Sequence, residues 1–304
     1  MTTIKKKLLI TGASGFVGQN ILHHLFGEKS DLDIYNLGRT PIADAGVKNI
    51  HCLAETFDFN VIHEQFDYII HLLALSNNAY CSDFSYAQKV NIEFTKKLLD
   101  FALTQKKLKK IIHISSIITY DSTEIPPVKE NAKLNLNYTT YSFTKGVAEN
   151  YVDYYRVKLG LPVIIFRLSN IYGPYQKYVN SPFLMPSKIV EGMEKKTIEV
   201  ASASPRRDWI YSEDTAKAIV KSLDSSFTGI LNLGSGKSVS VGEIMKIISQ
   251  ELGVPYSERK ENTTGPLNFY CDISAIKQAL LWQPETDMNT GIRNTIRYIK
   301  EKKS

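Results

Sequence analysis

Near its start the chain reads Lys7-Leu-Leu-Ile-Thr-Gly12-Ala-Ser-Gly15-Phe-Val-Gly18, an apolar run that turns through glycines spaced by three into a helical stretch. Gly12 can make the tight turn, Gly15 lets backbone approach a pyrophosphate, and Gly18 lets the helix pack closely on the strand. The helix N-terminus, with Ser14, Phe16 and Val17 around it, offers free N–H groups and partial positive charge to phosphates. Three spaced glycines alone are a weak signal. At residue 12, directly after the first strand of a β-α-β run, they point to a Rossmann-type doubly wound parallel sheet that binds a dinucleotide.

The first half of the chain fits that frame. Near-continuous apolar runs at Lys7–Thr11, Asp33–Leu37, Tyr68–Leu72, Lys110–Ser115 and Pro162–Leu168 predict strands covered on both faces. Amphipathic stretches predict helices at Phe16–Phe26, Phe84–Thr104 and Ser142–Leu159, with Asp83 capping the second. After residue 170, Pro174, Pro182, Pro186 and Pro205 cut the chain into shorter pieces, and a helix at Val241–Leu252 should open on a capping box of Ser240 and Glu243. The expected class is α/β: a dinucleotide-binding domain over 1–170 and a smaller α/β substrate domain over 171–304, with some chain crossing between them. At 304 residues and 43% apolar composition the chain can bury such a core.

Composition removes other classes. No run approaches the roughly 18–20 apolar residues of a membrane span. The basic start, Met1 to Lys7, is followed by only Leu8-Leu9-Ile10, too short for a signal core. Cys52, Cys81 and Cys271 have neither metal-type nor redox-type spacing, so no metal site is expected and a reducing, cytoplasmic setting is. The net charge of +6 draws on Lys106, Lys107, Lys109 and Lys110, read as a solvated helix end, and on Lys300, Lys302 and Lys303, read as a solvated tail, rather than on a nucleic-acid surface. Mild basicity suits an anionic small substrate.

The chemistry is carried by Tyr141-Ser-Phe-Thr-Lys145, placed where a helix should begin. Tyrosine and lysine at i and i+4 share a helix face. A phenol near its free pKa of about 10 is a poor base at neutral pH, and a neighbouring ammonium would lower it while also holding the nicotinamide ribose. Among 17 tyrosines a lone Tyr-x-x-x-Lys means little; its weight is its place after the glycine loop and after the strand Ile111-Ile-His-Ile-Ser115-Ser116. Ser116 would hydrogen-bond the reacting oxygen and aim it at Tyr141. Ser115 competes for that role, with register favouring Ser116, and His113 reads as a packed core residue. At the end of the second strand an acid would favour NAD; here Gly38-Arg39-Thr40 stands, with Asp31 and Asp33 too early. Arg39 suits a 2′-phosphate, which favours NADP, with NAD the alternative if Arg39 stacks on adenine.

With these residues in view the chain resembles the extended short-chain dehydrogenase/reductases, in particular the nucleotide-sugar epimerase/dehydratase group. The likeness extends to His71-Leu-Leu-Ala-Leu-Ser76, Asn91, Phe166-Arg-Leu-Ser-Asn170-Ile-Tyr-Gly-Pro174, Pro205-Arg-Arg-Asp-Trp-Ile-Tyr-Ser-Glu-Asp214 and Leu231-Asn-Leu-Gly-Ser-Gly236. It implies that Leu73, Ala74 and Ser76 line the cofactor, and that Asn170 and Arg207 hold the diphosphate of a nucleotide-linked sugar. A salt bridge to Asp208 or Asp214 is the competing use of Arg207. The helices Phe84–Thr104 and Ser142–Leu159 correspond to a four-helix homodimer interface of the group. Two departures matter. Ile117-Ile118 occupy the place where the group's 4,6-dehydratases carry Asp-Glu, which disfavours water elimination. Cys52-Leu53 stand where an adenine-contacting Asp-aliphatic pair belongs. The resulting expectation is an NADPH-dependent 4-ketoreductase of an NDP-4-keto-6-deoxysugar, with an NAD-retaining 4-epimerase as the alternative and a non-catalytic nucleotide-binding protein as a third reading.

Overall fold

The computed structural model describes residues 5–261 and 267–303; residues 1–4, which open the basic start weighed above, lie outside them. The chain divides into two compact units. The first comprises residues 1–121, 133–168 and 216–231, and the second 122–132, 169–215 and 232–304. The chain therefore crosses near residue 170 and lends short segments both ways.

The first unit holds strands β1 (Lys6–Thr11), β2 (Leu32–Gly38), β3 (Val47–His51), β4 (Tyr68–His71), β5 (Lys110–Ser116) and β6 (Val163–Leu168), with helix α1 (Phe16–Gly27) between the first two. A later strand, Gly229–Leu233, closes one edge, giving the order Gly229–Leu233, β6, β5, β4, β1, β2, β3. Pairings from β3 through β6 are all parallel. The order reverses between β1 and β4, the switch point outside whose strand ends such sheets open a ligand crevice. All five predicted strands need only small end adjustments, and β5 ends at Ser116, where the run Ile111–Ser116 had placed it. Two strands of the sheet were missed, Gly229–Leu233 and β3; in β3 Val47 alone is fully buried and Lys48 and Asn49 face solvent. An edge strand of that kind has no apolar run to announce it.

The predicted helix at Phe84–Thr104 is broken into three: α2 (Phe84–Gln88), a π-helical turn at Lys89–Glu93, and α3 (Phe94–Leu103). Asp83 does cap α2, accepting from the Tyr86 amide at 3.0 Å. The wide turn brings Asn91 inward, where its side chain accepts from the Leu75 amide at 2.7 Å and donates to the Thr144 hydroxyl at 3.0 Å. Helix α4 (Thr140–Leu159) starts two residues earlier than predicted, because Thr139 and Ser142 cap each other's backbone amides, and it stops at Gly160 with φ of 75°. Beneath α3 and α4 the core includes Leu9, Phe66, Phe94, Leu98, Val152, Val163 and Ile165.

One lysine of the basic cluster does not fit a solvated helix end. Lys110 opens β5, is buried, and donates to the Phe227 carbonyl at 2.6 Å, while Lys109 pairs with Asp67 at 3.0 Å.

The second unit contains β7 (Asn170–Tyr172), α5 (Leu184–Lys195), β8 (Ile198–Val200), β9 (Arg206–Arg207), β10 (Trp209–Tyr211), the start of α6 (Ser212–Ser222), α7 (Val241–Leu252), α8 (Ser274–Leu280) and α9 (Met288–Lys303). Tyr172, Met185, Ile189, Ile244, Ile248, Ile292 and Ile296 form its core. The Ser240–Glu243 capping box opens α7 as the sequence predicted.

Candidate active site

The loop from β1 to α1 has the shape a pyrophosphate needs. Gly12 sits at φ of 74°, and a Cβ there would come within 3.2 Å of the Leu73 backbone. A Cβ on Gly18 would meet the Ala13 carbonyl at 2.5 Å, so helix and turn touch backbone to backbone. Gly15 is the N-cap of α1 and makes no side-chain cap, and no acid lies in the first turn. That leaves the N-terminal amides and the helix dipole for an anion. Ser14, Phe16 and Val17 around this end are half-buried. These residues fit a dinucleotide.

The next strand end is laced to the first. Thr11 Oγ1 accepts from the amides of Leu72 at 3.2 Å and Leu73 at 3.1 Å, and Asn91 holds Leu75. This fixes Leu73 and Ala74, both half-buried, over the glycine turn, with Ser76 beyond them. At the end of β2, Asn36 donates to the Thr40 carbonyl and to Asn49, pinning a loop on which Arg39 is exposed. Asp31 and Asp33, at the opposite end of that strand, pair with Lys5 and Lys48. Cys52, in the adenine-contact position, is fully buried, which pushes its thiol up to about 12.

Ser116 and Tyr141 meet, and Lys145 lies one turn further along the helix that carries Tyr141. The Ser116 hydroxyl hydrogen-bonds Tyr141 and also accepts from the Ile118 amide at 3.3 Å, capping the 3₁₀ turn Ile117–Thr119. Ser115 points elsewhere, donating to Glu149 at 2.5 Å, so register separates the two serines. Lys145 is buried and donates to the Ile114 carbonyl at 2.5 Å. His113 is buried with neither ring nitrogen hydrogen-bonded, and burial beside Lys145 keeps it neutral, well below the ordinary histidine range.

The electrostatics correct one expectation. Burial pushes the Tyr141 phenol up to about 12; the Ser116 hydrogen bond works against this, and Lys145 is not among the groups that lower it. Burial drives Lys145 itself down to about 8, with Glu149 as the strongest group holding it up. A buried ammonium is disfavoured by its own desolvation before it can acidify a neighbour.

Sequence reasoning missed the ion pair behind this set. Glu149 and Arg167 form a buried pair, with Nε 3.0 Å from one carboxylate oxygen. Thr144 holds Asn91, and His71 bridges Thr11 and Thr95 at 2.8 and 2.9 Å. The available signals were a glutamate one turn beyond Lys145 and an arginine inside an otherwise apolar strand.

Asn170 and Arg207 belong to the second unit. Asn170 donates through its side chain to the Asp208 carbonyl at 2.9 Å, beside Arg207, whose Nη1 donates to the Arg206 carbonyl at 2.8 Å. The Asp208 carboxylate, weighed above as an ion-pair partner for Arg207, is fully buried and receives the Ser235, Gly236 and Cys271 amides and the Ser169 and Ser235 hydroxyls. Among the described residues no group of three or more His, Cys, Asp or Glu side chains could hold a metal ion, and no helix is long and apolar enough to cross a membrane.

The sequence pattern of the NAD dependent epimerase/dehydratase family matches residues 8–234. The chain belongs to that family. Within this epimerase/dehydratase family, a putative UDP-glucose 4-epimerase of Methanocaldococcus jannaschii is 26% identical over 315 residues, covering 96% of this chain and 98% of that one. A UDP-glucuronate 4-epimerase of Thermodesulfobacterium geofontis is 27% identical over 320 residues, covering 96% of each. The fold is that of a UDP-N-acetylglucosamine 4-epimerase from Methanobrevibacter ruminantium solved with UDP-N-acetylmuramic acid, at a TM-score of 0.88 and 24% identity over 99% of this chain and 100% of that one. The chain is thus an enzyme-family member of the epimerase/dehydratase type on a Rossmann-type sheet.

Proposed function

We propose that the protein is a UDP-sugar 4-epimerase that keeps NAD through its cycle. The observations that support this reading are the pairing of Ser116 with Tyr141, Lys145 one turn along the same helix, and a glycine turn fit for a pyrophosphate in the same unit, with Ile117 and Ile118 rather than acids following Ser116. It is supported by relatives named as 4-epimerases that align over nearly their whole length. The preference for NADP rested on Arg39 alone, and the family's NAD dependence outweighs one exposed arginine.

In this reading the N-terminal amides of α1, with Gly12, Ser14, Gly15, Phe16, Val17 and Gly18, hold the dinucleotide phosphates. Leu73, Ala74 and Ser76 line its nicotinamide half, and Arg39 meets the adenosine end. Lys145 holds the nicotinamide ribose, while Asn170 and Arg207 take the substrate diphosphate. The bound nicotinamide supplies an acceptor, and later a donor, for the hydride of C4. Tyr141 removes the O4 proton as the C4 hydride departs and C–O becomes C=O. Ser116 holds that oxygen in line. After the keto sugar turns over, the hydride returns to the other face of C4 and Tyr141 gives the proton back. No net oxidation occurs. The unit that does this is a homodimer through α3 and α4, and three buried free thiols suit a reducing cytoplasm.

Incubation with UDP-glucose, UDP-N-acetylglucosamine and UDP-glucuronate, without added cofactor, tests the reading. It expects C4 isomers by NMR with no net change in absorbance at the reduced-nicotinamide band. A second reading, an NADPH-dependent 4-ketoreductase of a 4-keto-6-deoxysugar nucleotide, is favoured by Arg39 and predicts stoichiometric NADPH consumption instead. That result, with no isomer formed, would overturn the epimerase.

A further inference from the structure

We propose that the buried Glu149–Arg167 pair is a positioning clamp for this active site, joining the end of β5 to the first half of α4 and holding Lys145 beside a negative charge. The inference rests on the Ser116–Tyr141–Lys145 reading above and adds to it two residues that touch neither substrate nor cofactor.

The connections run in both directions. On the β5 side, Glu149 accepts from Ser115 at 2.5 Å; the neighbours of Ser115 are Ile114, whose carbonyl receives Lys145, and Ser116, which meets Tyr141. On the α4 side, Glu149 lies one helical turn beyond Lys145 and two beyond Tyr141. Arg167 sits on β6 opposite Ser115 in the ladder, contacts both carboxylate oxygens of Glu149 at 2.5–3.2 Å, and packs its guanidinium over the Tyr120 ring at 4.7 Å. Tyr120 directly follows the 3₁₀ turn that Ser116 caps. One carboxylate thus ties together every segment that carries a candidate catalytic group.

Both side chains are buried, at 3% and 4% exposure. A buried ion pair is poor value as a stabiliser compared with apolar packing, so its presence calls for another role. Around Lys145 the titratable groups are Tyr141 and Glu149 on α4, His71 on β4, His113 on β5 and Cys81 ahead of α2. Both histidines are held neutral by burial, and burial likewise raises the Cys81 thiol. Glu149 is therefore the carboxylate that opposes the desolvation of the Lys145 ammonium.

Glu149→Gln keeps the shape and removes the charge. Competitive acetylation of Lys145 in the cofactor-free protein, read by mass spectrometry between pH 6 and 11, should show its midpoint fall by about one pH unit or more. An unchanged midpoint overturns the electrostatic role. The labelling uses no sugar, so it is independent of whether the wild type epimerises anything. In turnover, kcat should fall about tenfold at neutral pH with KM near that of wild type, and the alkaline limb should move to lower pH together with the labelling midpoint. Ser115→Ala, a small change that leaves the ion pair whole, should also lower kcat about tenfold with KM and melting temperature nearly unchanged, because it frees the β5 end from the clamp. Full activity in Ser115→Ala overturns the positioning role.

Discussion

At the scale of single residues the site sets two titrations against each other. The half-buried phenol of Tyr141 stands at about 12 and the buried ammonium of Lys145 at about 8 in the cofactor-free protein. Tyr141 therefore becomes a useful base only when further positive charge and hydrogen bonds gather at the crevice, and losing its hydroxyl removes proton transfer without removing a cofactor contact the fold depends on. Tyr141→Phe should cut turnover by about a hundredfold or more, with the affinity for reduced cofactor, followed by its fluorescence, within a few-fold of wild type. Lys145 carries a cost as well. Its folded pKa lies below the unfolded value of 10.5, so the folded state binds its proton less tightly than the unfolded chain does. The penalty is fully present below about pH 8, fades between about 8 and 10.5, and is gone where both states are neutral. Lys145→Met should accordingly raise stability by about 3 kcal/mol at pH 7, since each tenfold loss of proton affinity on folding is worth about 1.36 kcal/mol, and by much less above pH 10.5. Thermal melts at pH 7 and above 10.5 check it; an equal gain at both would mean that Lys145 is not strained by burial.

At the scale of elements, close approach decides what the glycine turn can do. The Cβ of Gly18→Ala would have to displace the Ala13 backbone, which lies in the turn itself and cannot move aside like a flexible side chain. Overpacking of this kind costs about 1–3 kcal/mol, and here it also shifts the α1 amides away from the phosphates. Dinucleotide binding by fluorescence titration should be lost well before the fold is. The same elements show what the sequence could convey. Gly12 announced itself because its φ of 74° favours glycine, Gly15 and Gly18 because backbone lies within 3.2 and 2.5 Å of where a Cβ would sit, and β1, β4, β5 and β6 because strands buried on both faces must be apolar. The edge strand β3 obeys no such rule, and the π-helical turn at Lys89–Glu93 exists because Asn91 reaches across to Leu75, a tertiary bond with no local periodicity. The Ser-Tyr-Lys order was legible for its spacing, whereas the Glu149–Arg167 pair was not, since two charges 18 residues apart look like any two charges until a strand and a helix bring them together. The acidifying effect assigned to Lys145 failed for a related reason: burial of both groups is a property of the folded crevice and leaves no mark on the motif.

At the scale of the whole molecule, the outer face of α4 is the surface left to explain. Val147, Tyr151, Tyr154 and Val157 recur at steps of four, three and three, a single stripe along the helix. Tyr151 is 37% exposed, Tyr154 56% and Val157 55%. Isolated apolar side chains on a surface are ordinary, but a contiguous helical stripe that includes two tyrosines is the composition of a covered interface. A second copy of the same stripe, packed about a two-fold axis, would bury both at once, and the nearby α3 helix contributes Leu103, 46% exposed, to a bundle of four helices. Tyr154→Glu combined with Val157→Lys should therefore convert a dimer to a monomer in sedimentation velocity. The melting temperature should then lose its dependence on protein concentration, which mass action imposes on a dimer. Since Tyr141 and Lys145 lie in the first turns of the same helix, the monomer should also show reduced kcat with KM less affected. If the wild type sediments as a monomer at micromolar concentration, or the double variant remains dimeric, the α4 stripe is not the surface through which copies of this chain associate.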